Sequence, residues 1–501
     1  MRWDICDDVA ENSYDYFQQT LITDNGFREY DVRWIVGKEI NPNGFFVMGR
    51  AYATLLQKDV GSNKAIVGHD FRSYSQELAR SFTLGMMVSG AEVIDVGLAL
   101  TPMVYYAQHH FNAPGGAQVT ASHNENGWCG LKLADGLSST LGPDGIKRLK
   151  QIVHSGDFVN GSGSYQNFDN LDQAYLSDIV GGKKLDHPPK VVVACGNGTP
   201  GRFVPEIIEA LGCHVVRLDC EADWTFPRFN PNPEDVKFLH EISRVTMQEK
   251  ADIGIGIDGD GDRIGVVDEK GEEIYSDKLG LLLARWMSEK YPNRIVVTDV
   301  KSTGLFSNDP VLNSNGYQSV LWKTGHSYIK AKVRETGAIA GFEKSGHWFL
   351  SEPLGRGYDD AARSAALLLR MLDESGKPLS QMLADLPKSY NSPTIGAYCP
   401  DDEKYEVVEH VTEQYRQDME KGTVIGGRKI KELITVNGVR FVLEDDSWGL
   451  VRASSNKPSL VLVAESVTSQ EQLYQIMEHI QQRLEKGGRI GDYDQEMPQP
   501  K

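Results

Sequence analysis

Three times along this chain an apolar run is followed, about 20 residues further on, by a second apolar run. Runs 65–70, 190–195 and 294–299 pair in this way with runs 91–96, 213–218 and 318–322. A tight hairpin leaves no room for so long a link, whereas a crossover between parallel strands requires one. The repeat therefore predicts three related α/β domains with mixed, largely parallel sheets. At 501 residues the chain exceeds what one core can organise, and 40% apolar content is enough to fill several.

Beyond residue 393 the layout changes. Runs 431–436 and 439–443 predict short strands. Leu473, Ile476, Met477, Ile480 and Leu484 repeat at helical spacing behind a Thr468-x-x-Glu471 capping box. A smaller C-terminal α+β domain is expected, ending in a polar stretch, residues 492–501, that carries two prolines and should be disordered. Polar, Gly/Ser-rich or Pro-bearing stretches near 161–164, 269–273 and 387–393 set the boundaries of four domains: 1–172, 173–274, 275–390 and 391–501.

A formal charge of −18 provides no basic field to gather phosphates, which excludes nucleic acid and anionic membrane as main partners. Any anionic ligand must be held by a local cluster of cations and backbone N–H groups. Six cysteines without Cys-x-x-Cys spacing suggest neither a disulfide framework nor a zinc knuckle. The acidic N-terminus and the lack of any run of about eighteen apolar residues point to a cytoplasmic chain.

The sharpest chemical signal is Asp258-Gly259-Asp260-Gly261-Asp262-Arg263, behind the apolar run 253–257. Alternate carboxylates on an extended strand stand about 6.6 Å apart, too far to share an ion whose ligand oxygens lie at about 2.1 Å. Gly259 and Gly261 let the chain curl so that all three converge. Three hard oxygen ligands leave positions for water and a phosphate oxygen, as Mg²⁺ is held at phosphoryl-transfer sites. A calcium loop of the EF-hand type fits less well. Asp258, Asp260, Asp262 and Glu269 take its positions 1, 3, 5 and 12, but Arg263 replaces the glycine at position 6, and the flanks are strand-like.

Ser122 follows the apolar lead 117–119 and opens a polar, glycine-punctuated loop that closes on Lys132. An exposed strand-to-loop edge suits a nucleophile, and Ser122 reads as a serine that carries and donates a phosphoryl group; an ordinary surface loop is the plain alternative, since no Gly-x-Ser-x-Gly elbow is present. Residues 195–203 nearly spell a P-loop, but Arg202 and Phe203 replace its Lys and Ser/Thr, so a structural turn is expected and ATP is not implied. Glu343 and Ser345 on one edge of an extended segment suit vicinal sugar hydroxyls, with His347 beside them for proton transfer, although taken alone the stretch reads as a plain turn. Lys301 and His326 add cations near strand ends. Arg452, Ser454, Ser455, Asn456 and Lys457 combine guanidinium, ammonium, hydroxyls and successive N–H groups into a phosphate cradle. Tyr30 and Arg33 stand in a short strand or turn, 26–34, which taken alone is a surface strand with a salt bridge.

Together these stretches resemble the α-D-phosphohexomutases over nearly the whole chain. Residues 120–124 with Lys132 are similar to the family's phosphoserine loop, 258–263 to its metal loop, 343–347 to its sugar-binding loop and 452–458 to its phosphate-binding loop. Residues 30–33 match a family segment whose arginine lies in the active site, and Lys301 and His326 fall where relatives present substrate contacts. Three departures stand out: Glu125 where proline is usual, Trp34 where glycine is usual, and Asn456 in a loop that more often ends in threonine.

The resemblance implies a heart-shaped arrangement of four domains around a central cleft. It implies interconversion of hexose 1-phosphates and 6-phosphates, mannose and glucose, through phosphorylated Ser122 and a 1,6-bisphosphate intermediate. Ser122, Asp258, Asp260 and Asp262 would bind Mg²⁺; Ser122, Lys132, His347 and Arg33 would be catalytic. Tyr30, Arg263, Lys301, His326, Glu343, Ser345, Arg452, Ser454, Ser455, Asn456 and Lys457 would bind substrate. Glucose 1,6-bisphosphate or mannose 1,6-bisphosphate would activate a monomer or weak homodimer whose partners are small hexose phosphates. A phosphoglucosamine mutase is the rival enzyme, and Lys344, where those enzymes typically carry glutamine, favours glucose and mannose phosphates. A metal-binding sensor without turnover would explain the acidic loop alone.

Overall fold

The computed structural model describes residues 18–455, 457–487 and 490–495. Contacts divide the chain into two bodies, Met1–Leu279 with Ser345–Met382, and Gly280–Lys344 with Leu383–Lys501.

In the first body, strand Lys64–His69 lies parallel to and between Glu92–Leu98 and Gly115–Val119. Helices Ser75–Val88 and Thr101–Phe111 make the two crossovers. Ala65, Ile66 and Val67 are fully buried, because a parallel strand is covered on both faces. The second sheet repeats the plan: Lys190–Ala194 lies between His214–Leu218 and Ile253–Ile257, all parallel, with helices Val204–Ala210 and Val236–Glu249 as links.

The second body holds the third copy, Ile295–Asp299 between Gln318–Trp322 and Ala340–Phe342. Its first crossover is irregular in sequence because Pro310 starts a new helix, Pro310–Ser314, whose N-terminus Asp309 caps by accepting from Val311 and Leu312 N–H. In all three trios the first strand in sequence is the middle one, so the predicted relationship among the three domains holds.

The third strand of each trio then runs into a reversing loop. Gly115–Val119 returns antiparallel as Trp128–Gly136, and Ile253–Ile257 as Ile264–Asp268, which makes both sheets mixed. Residues 120–127, 258–263 and 343–347 therefore occupy equivalent positions: the serine, metal and sugar stretches are the same loop of the same repeat.

The C-terminal sheet is antiparallel throughout, in the order Tyr390–Asn391, Ser459–Ser466, Trp448–Ala453, Val439–Leu443, Arg428–Ile434, Val424–Ile425. Helix Gln470–Gly487 covers it with Leu473, Ile476, Met477, Ile480 and Leu484, all buried, each contributing about 1.5–3 kcal/mol. Its cap differs from expectation. Ser469 Oγ accepts from Gln472 N–H at 3.1 Å, while Thr468 Oγ1 donates to Asp445, so the helix begins one residue later than the Thr468 box implies. The tail expected to be disordered is tied down as far as Gln495: Asp494 exchanges hydrogen bonds with Gly396 on strand Ile395–Tyr398, and residues 496–501 lie outside the described residues.

The third trio is fastened to the antiparallel sheet at buried Glu465. Its carboxylate accepts from Thr303 Oγ1, Gly304 N–H, Ser389 Oγ and Trp448 Nε1 at 2.6–2.7 Å. Arg440 donates to the carbonyls of Val300 and Ser302, which fixes the backbone on either side of Lys301. No helix among the described residues is long and apolar enough to cross a membrane.

Candidate active site

Ser122 follows strand Gly115–Val119 as expected but is buried, not exposed, because the metal loop packs over it: a Cβ at Gly259 would lie 2.4 Å from the Ser122 carbonyl oxygen. Its φ is +52°, a left-handed conformation that costs a non-glycine residue about 1–3 kcal/mol and is held only by its surroundings. Those surroundings are explicit. Ser122 N–H donates to Thr120 Oγ1 at 2.9 Å, and the Ser122 carbonyl accepts from Arg72 at 3.0 Å. Buried Asp70 accepts from Thr120 Oγ1, Ser75 Oγ and the Arg72 guanidinium. Ser122 Oγ is thereby set 3.0 Å from Asp258 Oδ2 and 3.2 Å from His123 Nδ1.

The metal loop curls as the glycine spacing predicts. Gly261 has φ +82°, and Asp258 Oδ1 accepts from the N–H groups of Gly261, Asp262 and Arg263 at 3.0–3.1 Å. Asp258, Asp260 and Asp262 each offer an oxygen within 4.8 Å of the others. Lys132 bridges Asp260 and Asp262, Arg263 Nε lies 3.1 Å from Asp258 Oδ2, and Thr101 Oγ1 donates to Asp260 at 2.6 Å. Burial and the neighbouring carboxylates push Asp258 up, whereas Lys132 holds Asp260 down against the cost of burial. Asp260 Oδ1 and Asp262 Oδ1 remain buried without a hydrogen-bond partner. Orphaned hard oxygens on converging carboxylates fit a divalent cation such as Mg²⁺.

Arg33 stands on strand Val32–Ile35 and donates to the Thr120 carbonyl at 2.6 Å and to Asp31 at 3.0 Å; Tyr30, just ahead, is buried. His347 arrives beside the metal loop through Gly346, whose φ of +98° lets its carbonyl accept from Ile264 N–H. Its Nδ1 is 3.0 Å from Asp359 Oδ2 and 3.8 Å from Asp262 Oδ1. Ser345, half-buried, precedes that glycine.

The second body carries the remaining candidates. Lys301 and His326 are buried, and Glu343 Oε1 accepts from Gly325 N–H at 2.6 Å at the start of helix His326–Thr336. Lys344 Nζ donates to the Ser392 carbonyl. Arg452 donates to Asn437 Oδ1 at 3.2 Å, and the same oxygen accepts from Thr324 N–H. Lys457 N–H donates to Ser454 Oγ; Ser455 is half-buried, and Asn456 lies outside the described residues. Lys404 Nζ props this loop from below through the carbonyls of Ser454 and Lys457.

Family-wide patterns match the chain in four consecutive stretches. They are phosphoglucomutase/phosphomannomutase α/β/α domain I at residues 24–160, domain II at 173–271, domain III at 275–390 and the C-terminal domain at 399–482. A phosphomannomutase/phosphoglucomutase of Pseudomonas putida is 35% identical over 90% of this chain and 93% of that protein. A phosphoglucomutase of Neisseria gonorrhoeae is 34% identical over 89% and 94%. A crystal structure of a phosphoglucomutase/phosphomannomutase family protein from Burkholderia thailandensis superposes with a TM-score of 0.84 at 30% identity, covering 96% of this chain and all of that one. The chain belongs to the phosphoglucomutase/phosphomannomutase family. It is accordingly a hexose phosphate mutase, with the four-domain α/β architecture of that family.

For this family member the sequence reading missed Asp70, Arg72, Thr101 and Asp359, which shape the serine and aspartate loops of the first body, and Asn437 and Lys404, which support the candidate loops of the second. Only Asn437 carried a local signal, since Asn437-Gly438 spells a hairpin turn. Two departures from the family pattern also become intelligible. Trp34 is fully buried and its Nε1 donates to the Thr23 carbonyl at 2.8 Å, which anchors the segment before Arg33. Glu125 is exposed at the rim of the serine loop.

Proposed function

We propose that this mutase interconverts the 1- and 6-phosphates of glucose and mannose, with Ser122 as the phosphoryl carrier. The observation that carries the reading is the convergence of Ser122 Oγ, Lys132, Arg263 and His347 on three carboxylates. The phosphoryl group leaves Ser122 Oγ for a free sugar hydroxyl: the Oγ–P bond breaks, a sugar O–P bond forms, and the hydroxyl proton is taken up by the protein. The 1,6-bisphosphate turns over, and its other phosphoryl group returns to Ser122 as the second hydroxyl regains a proton.

Asp258, Asp260 and Asp262, with phosphorylated Ser122, would hold Mg²⁺, which when bound supplies Lewis-acid stabilisation of charge on the transferring group. The carboxylates beside Lys132 favour its ammonium form and raise its pKa, which supports a charge-stabilising part at the leaving oxygen. His347, oriented through Nδ1 by Asp359, is suited to exchange the sugar proton at its other ring nitrogen. Arg33 braces the serine loop at Thr120 while its cation faces the incoming phosphate, with Tyr30 beside it. Lys301, His326, Glu343 and Ser345 hold the sugar; Arg452, Ser454, Ser455, Asn456 and Lys457 hold the phosphate that does not react. Glucose or mannose 1,6-bisphosphate recharges Ser122 when the intermediate escapes. The four domains, divided near 172, 274 and 390, each supply one of these loops.

The names of the relatives support glucose and mannose over amino sugars. A coupled assay with Mg²⁺ and a trace of glucose 1,6-bisphosphate tests this, with glucose 1-phosphate, mannose 1-phosphate and glucosamine 1-phosphate side by side. Comparable turnover of the first two is expected. Preference for the amino sugar would overturn the substrate assignment, and no turnover of any would overturn the reaction.

A further inference from the structure

The near P-loop at 195–203 plays no part in the chemistry above, yet it starts with one half of a thiol pair. Cys195 and Cys220 follow the ends of neighbouring parallel strands, Lys190–Ala194 and His214–Leu218, and their Sγ atoms lie 3.6 Å apart. Cys195 N–H donates to the Leu218 carbonyl, which keeps the two chain segments at sheet spacing just beyond the last paired residues. A disulfide needs S–S near 2.05 Å across backbones about 5–6 Å apart, so side-chain rotation and a small backbone adjustment are all that closure asks. Both are free thiols, Cys195 buried and Cys220 partly open. The thiol–thiol hydrogen bond lowers the pKa of Cys220, and nearby Arg217 adds to it, so Cys220 is the readier thiolate.

The turn after Cys195 links the thiol pair to the catalytic loops. Gly196 and Asn197 are both left-handed, and Asn197 is laced to the Cys220 segment through Asp219, Glu221 and Asp223. Thr199 then donates its N–H to the Gly259 carbonyl of the metal loop, and its Oγ1 accepts from Phe71 N–H. Phe71 precedes Arg72, whose guanidinium holds the Ser122 carbonyl. One short turn therefore braces the metal loop and the support of the serine loop together.

We propose that Cys195 and Cys220 are an oxidation site that closes to an internal disulfide, and that closure slows phosphoryl transfer by displacing the 195–199 turn. The oxidant is a peroxide. Cys220 thiolate attacks one peroxide oxygen, an S–O bond forms as O–O breaks, and the departing hydroxide takes a proton to become water. Cys195 sulfur then attacks that sulfenic acid, S–S forms as S–O breaks, and the Cys195 proton leaves with the second water. Two thiols and one peroxide give one disulfide and two waters.

The second half of the proposal rests on the Ser122 reading; the first half does not. The test exposes the reduced full-length enzyme to hydrogen peroxide, maps peptides by mass, and measures mutase activity before and after dithiothreitol. A linked 195–220 peptide is expected, with kcat lowered by about tenfold or more and restored on reduction. Cys220→Ser should keep the basal activity and lose the reversible inhibition. Absence of the linked peptide from oxidised wild-type enzyme overturns the oxidation site, and a fully formed link with unchanged kcat overturns its control of turnover. Enzyme inactive before oxidation counts against the Ser122 reading, while the peptide map still decides the disulfide.

Discussion

Ser122 Oγ and Asp258 Oδ2 lie 3.0 Å apart although 136 residues separate them, and Asp258 uses its other oxygen to accept three backbone N–H groups of its own loop. One carboxylate thus shapes its own loop and addresses the Ser122 hydroxyl.

Those two tasks separate by substitution. Asp258→Asn keeps an oxygen for the three N–H donors and should leave melting little changed while turnover falls by about 10³-fold, the scale of losing a preorganised electrostatic contact. Asp258→Ala orphans the donors as well, at about 1–3 kcal/mol for each buried group left unsatisfied, and should lower the melting temperature markedly. Equal melting of the two variants would contradict the dual role.

Metal removal should abolish turnover and its return should be visible without any substrate. Because Asp260 Oδ1 and Asp262 Oδ1 have no partner, Mg²⁺ at about 100 times its Kd should add about 2.7 kcal/mol to stability. Differential scanning fluorimetry of chelated protein, with and without Mg²⁺, reads this. Asp262→Asn should remove most of the shift.

Lys404 Nζ holds the 452–458 stretch through the carbonyls of Ser454 and Lys457. Lys404→Met loosens that loop without touching the serine or metal loops, so KM for the hexose phosphate should rise several-fold while kcat changes less. Steady-state kinetics decide it, and a fall in kcat at constant KM would place the loop elsewhere in the reaction.

Partial burial on helix Gln470–Gly487, against the ring of Tyr415, pushes the His479 imidazole down from 6.5 to about 4, with the nearby Arg483 cation adding to the shift. The unfolded chain binds this proton more readily than the folded one, so folding is unpenalised above about pH 6.5 and loses stability as pH falls from there towards 4. Denaturant unfolding between pH 7 and 4.5 should show a shallower decline in His479→Gln than in the parent.

Local runs made much of this legible in sequence. The crossover-length links exposed the repeat, and 258–262 announced converging carboxylates because glycines alternate with aspartates. The features that stayed hidden depend on distant partners. Asp70 reads as the plain end of a strand until Thr120, 50 residues on, hydrogen-bonds to it, and Thr101 meets Asp260 across 159 residues. Ser122 reads as an exposed edge because a loop sequence says nothing of a second loop packed over it. The Thr468 box misplaces a helix start by one residue, since Ser469 with Gln472 makes an equally good pattern and tertiary contact to Asp445 chooses between them. Residues 492–495 look like a free tail, yet the open edge of strand Ile395–Tyr398 recruits them.

The most direct test is to incubate the protein with Mg²⁺ and glucose 1,6-bisphosphate, map the phosphorylated peptide, and chase with glucose 1-phosphate. One phosphoryl group on Ser122, lost in the chase as 1,6-bisphosphate forms, and no turnover by Ser122→Ala, is the predicted result. Phosphate on another residue, or sustained mutase activity in Ser122→Ala, would contradict Ser122 as the carrier.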